Sequence, residues 1–305
     1  MDSIVTGGCG YIGGHLTDSL AGSGDEVTII DDMSTGNYRN PKSRLLKADL
    51  QISQVLDLPR GARMFHLAAN PSVQDSMSNA AEHFDRDVKA THNALELARK
   101  NDAKMFVFAS TSAVYGETGV IPTPETEQAL PISNYALFKV LSESMVGYYS
   151  RTYGLRAVTL RLANVIGGRA NHGVICDFIR KLGTNSTELE ILGDGRQRKS
   201  YVYIDDVVRA FMAFGEFRPA SGYDCFNIGS TDWVDVEQIA AAVEKGMGLA
   251  PRHVYPDKTS GRGWPGDVRT MLLDVRKAKE AGWEPRYGSE AALDMAVSDA
   301  LAMPK

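Results

Sequence analysis

Cysteine is scarce and placed for neither of its structural uses: Cys9, Cys176 and Cys225 are far apart and include no CxxC pair. A disulfide framework and a zinc site are both disfavoured, and the chain reads as one from a reducing compartment. No apolar run approaches the roughly 20 residues that a membrane-spanning helix needs, and the first residues enter a strand-turn-helix pattern instead of a leader, so the expected location is cytoplasmic. An excess of basic charge is also lacking. Lys and Arg number 33 against 38 Asp and Glu, a formal net charge of -5 with no block of one sign. That leaves no electrostatic footprint for nucleic acid or a membrane surface and favours a small-molecule ligand. The six histidines never fall at a metal-ligand spacing such as HExxH, so no metal is expected. Internal repeats and low-complexity tracts are missing as well.

What is present is a long chain, 305 residues with 43% apolar content, enough for a large core in one extended domain or two ordinary ones. Short β-rich runs, SIVTG (3–7), EVTIID (26–31), RLLKADL (44–50), MFHLAA (64–69), KMFVFAS (104–110) and RAVTLRL (156–162), alternate with helical patterns, among them 79–100 and 133–153. Continuously apolar strands separated by helices predict an α/β, doubly wound parallel sheet covered on both faces. Past 163 the order loosens. A helix is predicted near 174–183, a short strand pair around LEILGDG and KSYVYI, and helices near 205–217 and 235–246. No linker marks a boundary, so the expectation is a first domain over 1–163, rejoined by the chain around 201–228, with a smaller α/β C-terminal lobe from 164–200 and 229–305.

The turn TGGCGYIGGHL (6–16) places Gly7, Gly10 and Gly13 in GxxGxxG spacing between the first strand and the first helix. Those glycines allow a tight turn and close approach of backbone to a pyrophosphate, which the free N–H groups of the helix start attract. Alone, the spacing equally fits a merely glycine-rich turn. The acidic pair Asp31-Asp32 at the end of the second strand strengthens the dinucleotide reading, because a carboxylate there accepts from the adenosine ribose hydroxyls. No arginine follows it closely before Arg39, so NAD is expected over NADP, whose 2′-phosphate the carboxylate would repel. The sheet is then of Rossmann type.

YALFK (135–139) puts Tyr135 and Lys139 four residues apart within a helical stretch, hence on one face. A neighbouring ammonium favours a phenolate, which would bring the tyrosine towards the working range of a general base. A surface ion-dipole pair is the bland reading of the same spacing. The hydroxyl cluster ASTSAVYG (109–116), at the end of an apolar strand, offers Ser110, Thr111, Ser112 and Tyr115 as further candidates.

Taken together with ADL (48–50), HLAANPSV (66–73), LRLANVIGGR (160–169), HGVICDFIRKL (172–182), GDGRQRKSYVYIDDVV (193–208) and GRGWPGDV (261–268), these stretches resemble the extended short-chain dehydrogenase/reductase superfamily nearly end to end. Within it the chain is most similar to the NAD-dependent epimerase/dehydratase branch, in particular nucleotide-sugar 4-epimerases of the UDP-glucose/UDP-galactose type. The resemblance implies that Gly7, Gly10, Tyr11, Ile12 and Gly13 hold the pyrophosphate, Asp31 and Asp32 the ribose, and Asp49 and Leu50 the adenine. Leu67, Ala68, Ala69, Asp87 and Ser110 would line the rest of the cofactor path, with Asp87 where an Asn is usual. Thr111 would bond the reacting sugar oxygen, Tyr135 would be the base, and Lys139 would hold the nicotinamide ribose and the phenolate. Ser112, Asn164, Val174, Ile175, Lys199, Arg262 and Met271 fall at positions for the UDP-sugar substrate. Lys199 and Trp264 stand where the family usually has arginine, which makes Arg262 the expected diphosphate ligand. Surface charge for Lys199 and Arg262, and core packing for Trp264, are the alternatives.

Relatives that eliminate water place an Asp-Glu pair after the Thr, and decarboxylating relatives keep the Glu; here those positions are Ser112 and Ala113. The resemblance therefore implies 4-epimerisation of a UDP-hexose. A 4-keto-sugar reductase, an epimerase of another nucleotide sugar, and a non-catalytic dinucleotide sensor remain as alternatives. It also implies a homodimer paired through the helical segments 79–100 and 133–153.

Overall fold

The computed structural model describes residues 1–53, 55–256 and 261–303; within the 229–305 segment, 257–260 and 304–305 lie outside the described residues. The strands of the first half are β1 (Asp2–Thr6), β2 (Glu26–Asp31), β3 (Arg44–Lys47), β4 (Arg63–His66), β5 (Met105–Thr111) and β6 (Ala157–Leu162). They are followed by β7 (Asn164–Ile166), β8 (Glu188–Glu190), β9 (Arg198–Lys199), β10 (Tyr201–Tyr203), β11 (Tyr223–Ile228), β12 (Val234–Asp235), β13 (Arg252–Val254) and β14 (Thr270–Met271). Seven of them form one sheet in the order β11-β6-β5-β4-β1-β2-β3, and every pairing is parallel. Its centre is apolar on both faces: Val5, Ile29, Phe65 and Val107 are buried on one, and Ile4, Ile30, Met64 and Phe106 on the other; that requires helices on either side.

Those helices are α1 (Tyr11–Gly22) and, further along, α2 (Ala80–Phe84), α3 (Ala90–Lys100), α4 (Asn134–Tyr153), α5 (Val174–Thr184), α6 (Ile204–Glu216), α7 (Val236–Met247), α8 (Arg276–Glu280) and α9 (Ser289–Ala302). α1 and α6 cover one face of the sheet, α3 and α4 the other. Helix α4 begins where the Ser133 hydroxyl accepts the Ala136 N–H at 3.2 Å and stops at Gly154, whose φ of 71° only glycine adopts cheaply. The strand order reverses between β1 and β4, and at such a switch point the carboxyl ends of the strands diverge into a crevice.

Two expectations change. The 79–100 pattern is not one uniform α-helix, because a π turn at Asp85–Lys89 separates α2 from α3. A π turn inserts one residue into the hydrogen-bond ladder while leaving the apolar spacing around it nearly intact, which hides it from periodicity. The runs LEILGDG and KSYVYI do contain strands, yet they are not partners of each other. β8 pairs with β13, and β10 with β7, both parallel. Composition identifies a strand, whereas its partner is chosen by packing across the whole chain. Among the described residues no helix is long and apolar enough to cross a membrane.

Candidate active site

A cleft of about 410 Å³ opens at the carboxyl ends of β1, β2 and β4. It is lined by Gly7, Gly10, Tyr11, Ile12, Gly13, Asp31, Asp32, Asp49, Leu50, Leu67, Ala68, Ala69, Ser110, Tyr135 and Lys139, so these sequence-predicted positions are brought to one surface. Backbone alone shapes its floor. A Cβ on Gly13 would stand 2.1 Å from the Gly7 carbonyl oxygen, and Gly7 itself has φ +70° with Ala68 backbone pressed against it. No side chain caps α1, where Gly10 precedes the first turn, so its leading N–H groups face the cleft for an anion. This cradle, which any Cβ would fill, fits the diphosphate of a dinucleotide.

At the far end the Asp31 carboxylate takes the Cys9 N–H at 2.9 Å and the Met33 N–H at 2.7 Å. Burial pushes it above the usual carboxylate range in spite of those bonds. Asp32 behaves oppositely: burial disfavours its charge, but the Ser34 N–H, the Ser34 hydroxyl and Arg86 together hold it below the ordinary range. Arg86 donates to Ser34 Oγ at 2.9 Å and lies 3.4 Å from Asp32. The acidic pair therefore does have an arginine beside it, delivered from the π turn and not from the stretch before Arg39.

Tyr135 and Lys139 reach the other end of the cleft from the first turns of α4. The start of that helix is fixed from outside, since Tyr135 N–H donates to Ser76 Oγ at 3.1 Å and Asn134 Nδ2 to the Ser76 carbonyl at 2.8 Å. Lys139 Nζ donates to the Ala109 carbonyl at 3.0 Å and lies 5.7 Å from the Tyr135 ring centre. Burial lowers the proton affinity of this lysine, against the carboxylates of Asp87 and Glu143, which raise it. The phenol of Tyr135 does not follow the expectation of a lowered pKa. Burial pushes it up, the Asp87 carboxylate adds to that, and only hydrogen bonding with Thr111 works the other way.

The hydroxyl cluster divides by depth. Thr111 closes β5 and its Oγ1 accepts the Ala113 N–H at 3.2 Å, so it caps the turn that follows. Ser110 donates to Glu143, which pairs with Arg161 at 2.7 Å. That serine is tied to a buried side chain and not to strand-end backbone. The same arginine reaches Tyr115 Oη at 2.9 Å, and Tyr115 donates to Asn227 at 2.8 Å. Ser110 and Tyr115 thus belong to a buried network under the strand ends.

The positions expected for the substrate lie outside this cleft. Lys199 and Met271 are register partners in the β9–β14 pairing. Lys199 is held 2.5 Å from Asp267 and 5.5 Å from the Trp264 ring centre, while Arg262 donates to the Asp267 carbonyl at 2.6 Å and pairs with Glu117 at 3.1 Å. Lys199 and Arg262 are therefore brought together around Asp267, with Met271 beside Lys199 on the neighbouring strand. Asn164 heads β7 and donates to the Ser200 carbonyl at 3.3 Å. Val174 and Ile175 open α5. Asp87 is behind the cleft, buried and accepting the Asn70 N–H at 3.1 Å.

Residues 3–229 match the family model of the NAD dependent epimerase/dehydratase family. The chain belongs to that family. It is accordingly an NAD-dependent enzyme on a Rossmann-type fold. A UDP-glucose 4-epimerase of Mycolicibacterium smegmatis is 31% identical, over 94% of this chain and 94% of that one. A crystal structure of a UDP-galactose 4-epimerase superposes with a TM-score of 0.88 at 39% identity, covering 99% of both chains. A UDP-N-acetylglucosamine 4-epimerase from Methanobrevibacter ruminantium, solved with UDP-N-acetylmuramic acid, has a TM-score of 0.87 at 27% identity over 99% of this chain and 98% of that one.

Beyond the sequence-predicted residues of this family member, the cleft wall also contains Tyr38, Arg86, Arg169, Asn171 and His172. Arg169 stacks 3.8 Å from the Tyr38 ring centre, and both bond Asp18. No local motif flags Tyr38 or Arg86, which come from segments far apart in sequence. The LRLANVIGGR run did contain Arg169, and its position straight after two glycines was the available signal.

Proposed function

We propose that this chain interconverts UDP-hexoses at C4, of the UDP-glucose/UDP-galactose type, as a cytoplasmic homodimer. The observation that carries the reading is the placing of Tyr135 and Lys139 at one end of a dinucleotide cradle, with Thr111 hydrogen-bonded to Tyr135 from beside it and with Ser112 and Ala113 where an elimination would need acidic residues. Bound NAD supplies a hydride acceptor that returns the hydride, and it would lie along Gly7, Gly10, Gly13 and Asp31. Tyr135 takes the proton of the sugar 4-hydroxyl, keeps it while the substrate is a 4-keto sugar, and gives it back after the sugar has presented its other face. Thr111 bonds the same oxygen and favours the charged phenolate state, while Lys139 would hold the nicotinamide ribose beside it. Proton and hydride both return, so nothing is consumed.

In this reading residues 1–163 and 201–228 hold NAD, while 164–200 and 229–305 hold the UDP-sugar through Lys199, Arg262, Asn164 and the start of α5. The exposed Leu137, Leu141 and Tyr148 of α4 support pairing through that helix. The relative that acts on UDP-N-acetylglucosamine favours a second reading, the same chemistry on an N-acetylated sugar. Incubation with UDP-galactose is expected to yield a mixture with UDP-glucose without loss of added NAD, and the N-acetylated pair is the parallel assay. No interconversion of either pair overturns the proposal. Tyr135→Phe is expected to lower turnover by about 10²–10⁴-fold while NAD stays bound, as measured by release of the nucleotide on denaturation.

A further inference from the structure

Two buried polar atoms behind the catalytic helix face each other without a hydrogen-bond partner: Nδ1 of His83 and Oδ2 of Asp87, 3.6 Å apart, on side chains that are both fully buried. Such orphans are rare in a folded core and call for an explanation. The far ends of both side chains are engaged. Asp87 Oδ1 accepts the Asn70 N–H at 3.1 Å, and His83 Nε2 lies 3.1 Å from Asp75 Oδ2, a carboxylate that reaches solvent. The imidazole therefore stands between a wet acid and a dry one.

The π turn is what brings this pair to the active site, since Asp85–Lys89 packs against α4. The groups that act on Asp87 from there are charged or titratable. Lys139 is the largest influence opposing the effect of burial on Asp87, ahead of the Asn70 N–H and His83. Tyr135 and Lys139 both respond to Asp87, and Glu143 acts on Lys139 from the same helix. His66 on β4 feels Lys139 but is held neutral by burial. Arg86, the immediate neighbour of Asp87, is turned away to Asp32 and Glu82. A buried carboxylate is stable only when paired, and Lys139 and His83 are the side chains that oppose the effect of burial on Asp87 among the described residues.

We propose that His83 and Asp87 form a charge-setting pair for the catalytic helix: the imidazole, steadied by Asp75, determines how much negative charge Asp87 presents to Lys139 and Tyr135, and so the pH at which Tyr135 acts as base. His83 is then a positioning residue, acting through Asp87. The inference rests on Tyr135 being that base.

The signs are opposite for the two partners. Asp87→Asn removes a negative charge that holds the proton on Tyr135, so the acidic limb of the kcat/KM profile moves down by roughly one pH unit. His83→Gln keeps a hydrogen-bonding side chain but removes the imidazole that Asp87 Oδ2 faces, so more of the carboxylate's charge is left to act on Lys139 and Tyr135 and the limb moves up by a similar amount. Should His83→Gln fold poorly, Asp75→Asn, at a partly exposed site, removes the carboxylate that steadies the imidazole against Asp87 and moves the limb up by a smaller step. The experiment is the pH profile of NAD-loaded enzyme for these variants beside Tyr135→Phe. Opposite displacements support the pair. A uniform loss of kcat with an unmoved limb, or displacement of both variants in one direction, overturns it. Inactive Tyr135→Phe with an unmoved limb overturns the pair alone, whereas full activity of Tyr135→Phe overturns the base assignment and the pair with it.

Discussion

The two halves of the site are built from different materials. On the cofactor side, glycines and helix N–H groups make the surface, and Gly7 and Gly13 are so close that no side chain could separate them. On the side proposed for the substrate, the charged side chains are occupied with one another, Lys199 with Asp267 and Arg262 with Asp267 and Glu117. A backbone cradle is complete before its ligand arrives and tolerates little change. A set of paired side chains must exchange partners to meet a diphosphate, and it can be retuned by substitution without disturbing the fold. One family sharing a cofactor and differing in sugars is what such a division permits.

The contrast breaks most visibly at Gly13. Gly13→Ala is expected to weaken NAD binding by at least about 100-fold and to lower the melting temperature, because the new Cβ would meet the Gly7 carbonyl at 2.1 Å and overpacking against backbone costs about 1–3 kcal/mol before any ligand is considered. Titration with NAD and a thermal melt read both effects. Wild-type affinity would show that the turn is adjustable after all. A smaller, selective effect is expected at the other half. Asp267→Asn frees Lys199 from its partner, and the KM for a UDP-sugar is expected to change several-fold while NAD affinity stays put. Lys199→Met is expected to raise KM about 10-fold, and Lys199→Arg, which restores a forked donor, is expected to lower it below the Met variant. A change in kcat with constant KM for these variants would place Lys199 in the chemistry instead of in binding.

The same division explains what could be read in the chain beforehand. Gly7-Gly10-Gly13 and Tyr135-Lys139 were legible because each is a local pattern whose spacing fixes its geometry, and the sheet was legible because its strands are apolar on both faces. Arg86 was not, because its partner Asp32 is 54 positions away in sequence. The π turn that carries Arg86 and Asp87 leaves no trace in a periodicity. The pairing of β8 with β13, and of Lys199 with Asp267, depends on the chain returning from 68 residues beyond Lys199 in the second case. The raised proton affinity of Tyr135 was missed for a related reason: the Tyr-Lys spacing is local, but the burial and the Asp87 charge that outweigh it come from elsewhere.

The smallest expected effect separates the halves by their histidines. His66 in β4 is fully buried between Thr6 and Thr91, with Oγ1 atoms 2.7 and 3.0 Å away, and burial pushes its pKa down to about 3. The unfolded chain protonates this residue near pH 6.5 while the folded chain does not, so the sheet loses stability as pH falls below that value, by roughly 1.4 kcal/mol per unit until about pH 3. His253 in β13 lies 3.0 Å from Glu237 and 2.5 Å from Glu244. Burial opposes its charge, but these glutamates outweigh it and raise its pKa. Its contribution is present in full below pH 6.5 and is lost as pH rises through the raised value. Acid should thus loosen the seven-stranded sheet and spare the β8–β13 pair. Hydrogen exchange at pH 7.5 and 5.5, corrected for intrinsic rates, is expected to show lower protection in β1, β4 and β5 at the lower pH and equal or higher protection in β13 and α7. Parallel loss in both halves would mean that they open as one cooperative unit, and the difference in how the two halves are built would then stop at the site and not extend to their stability.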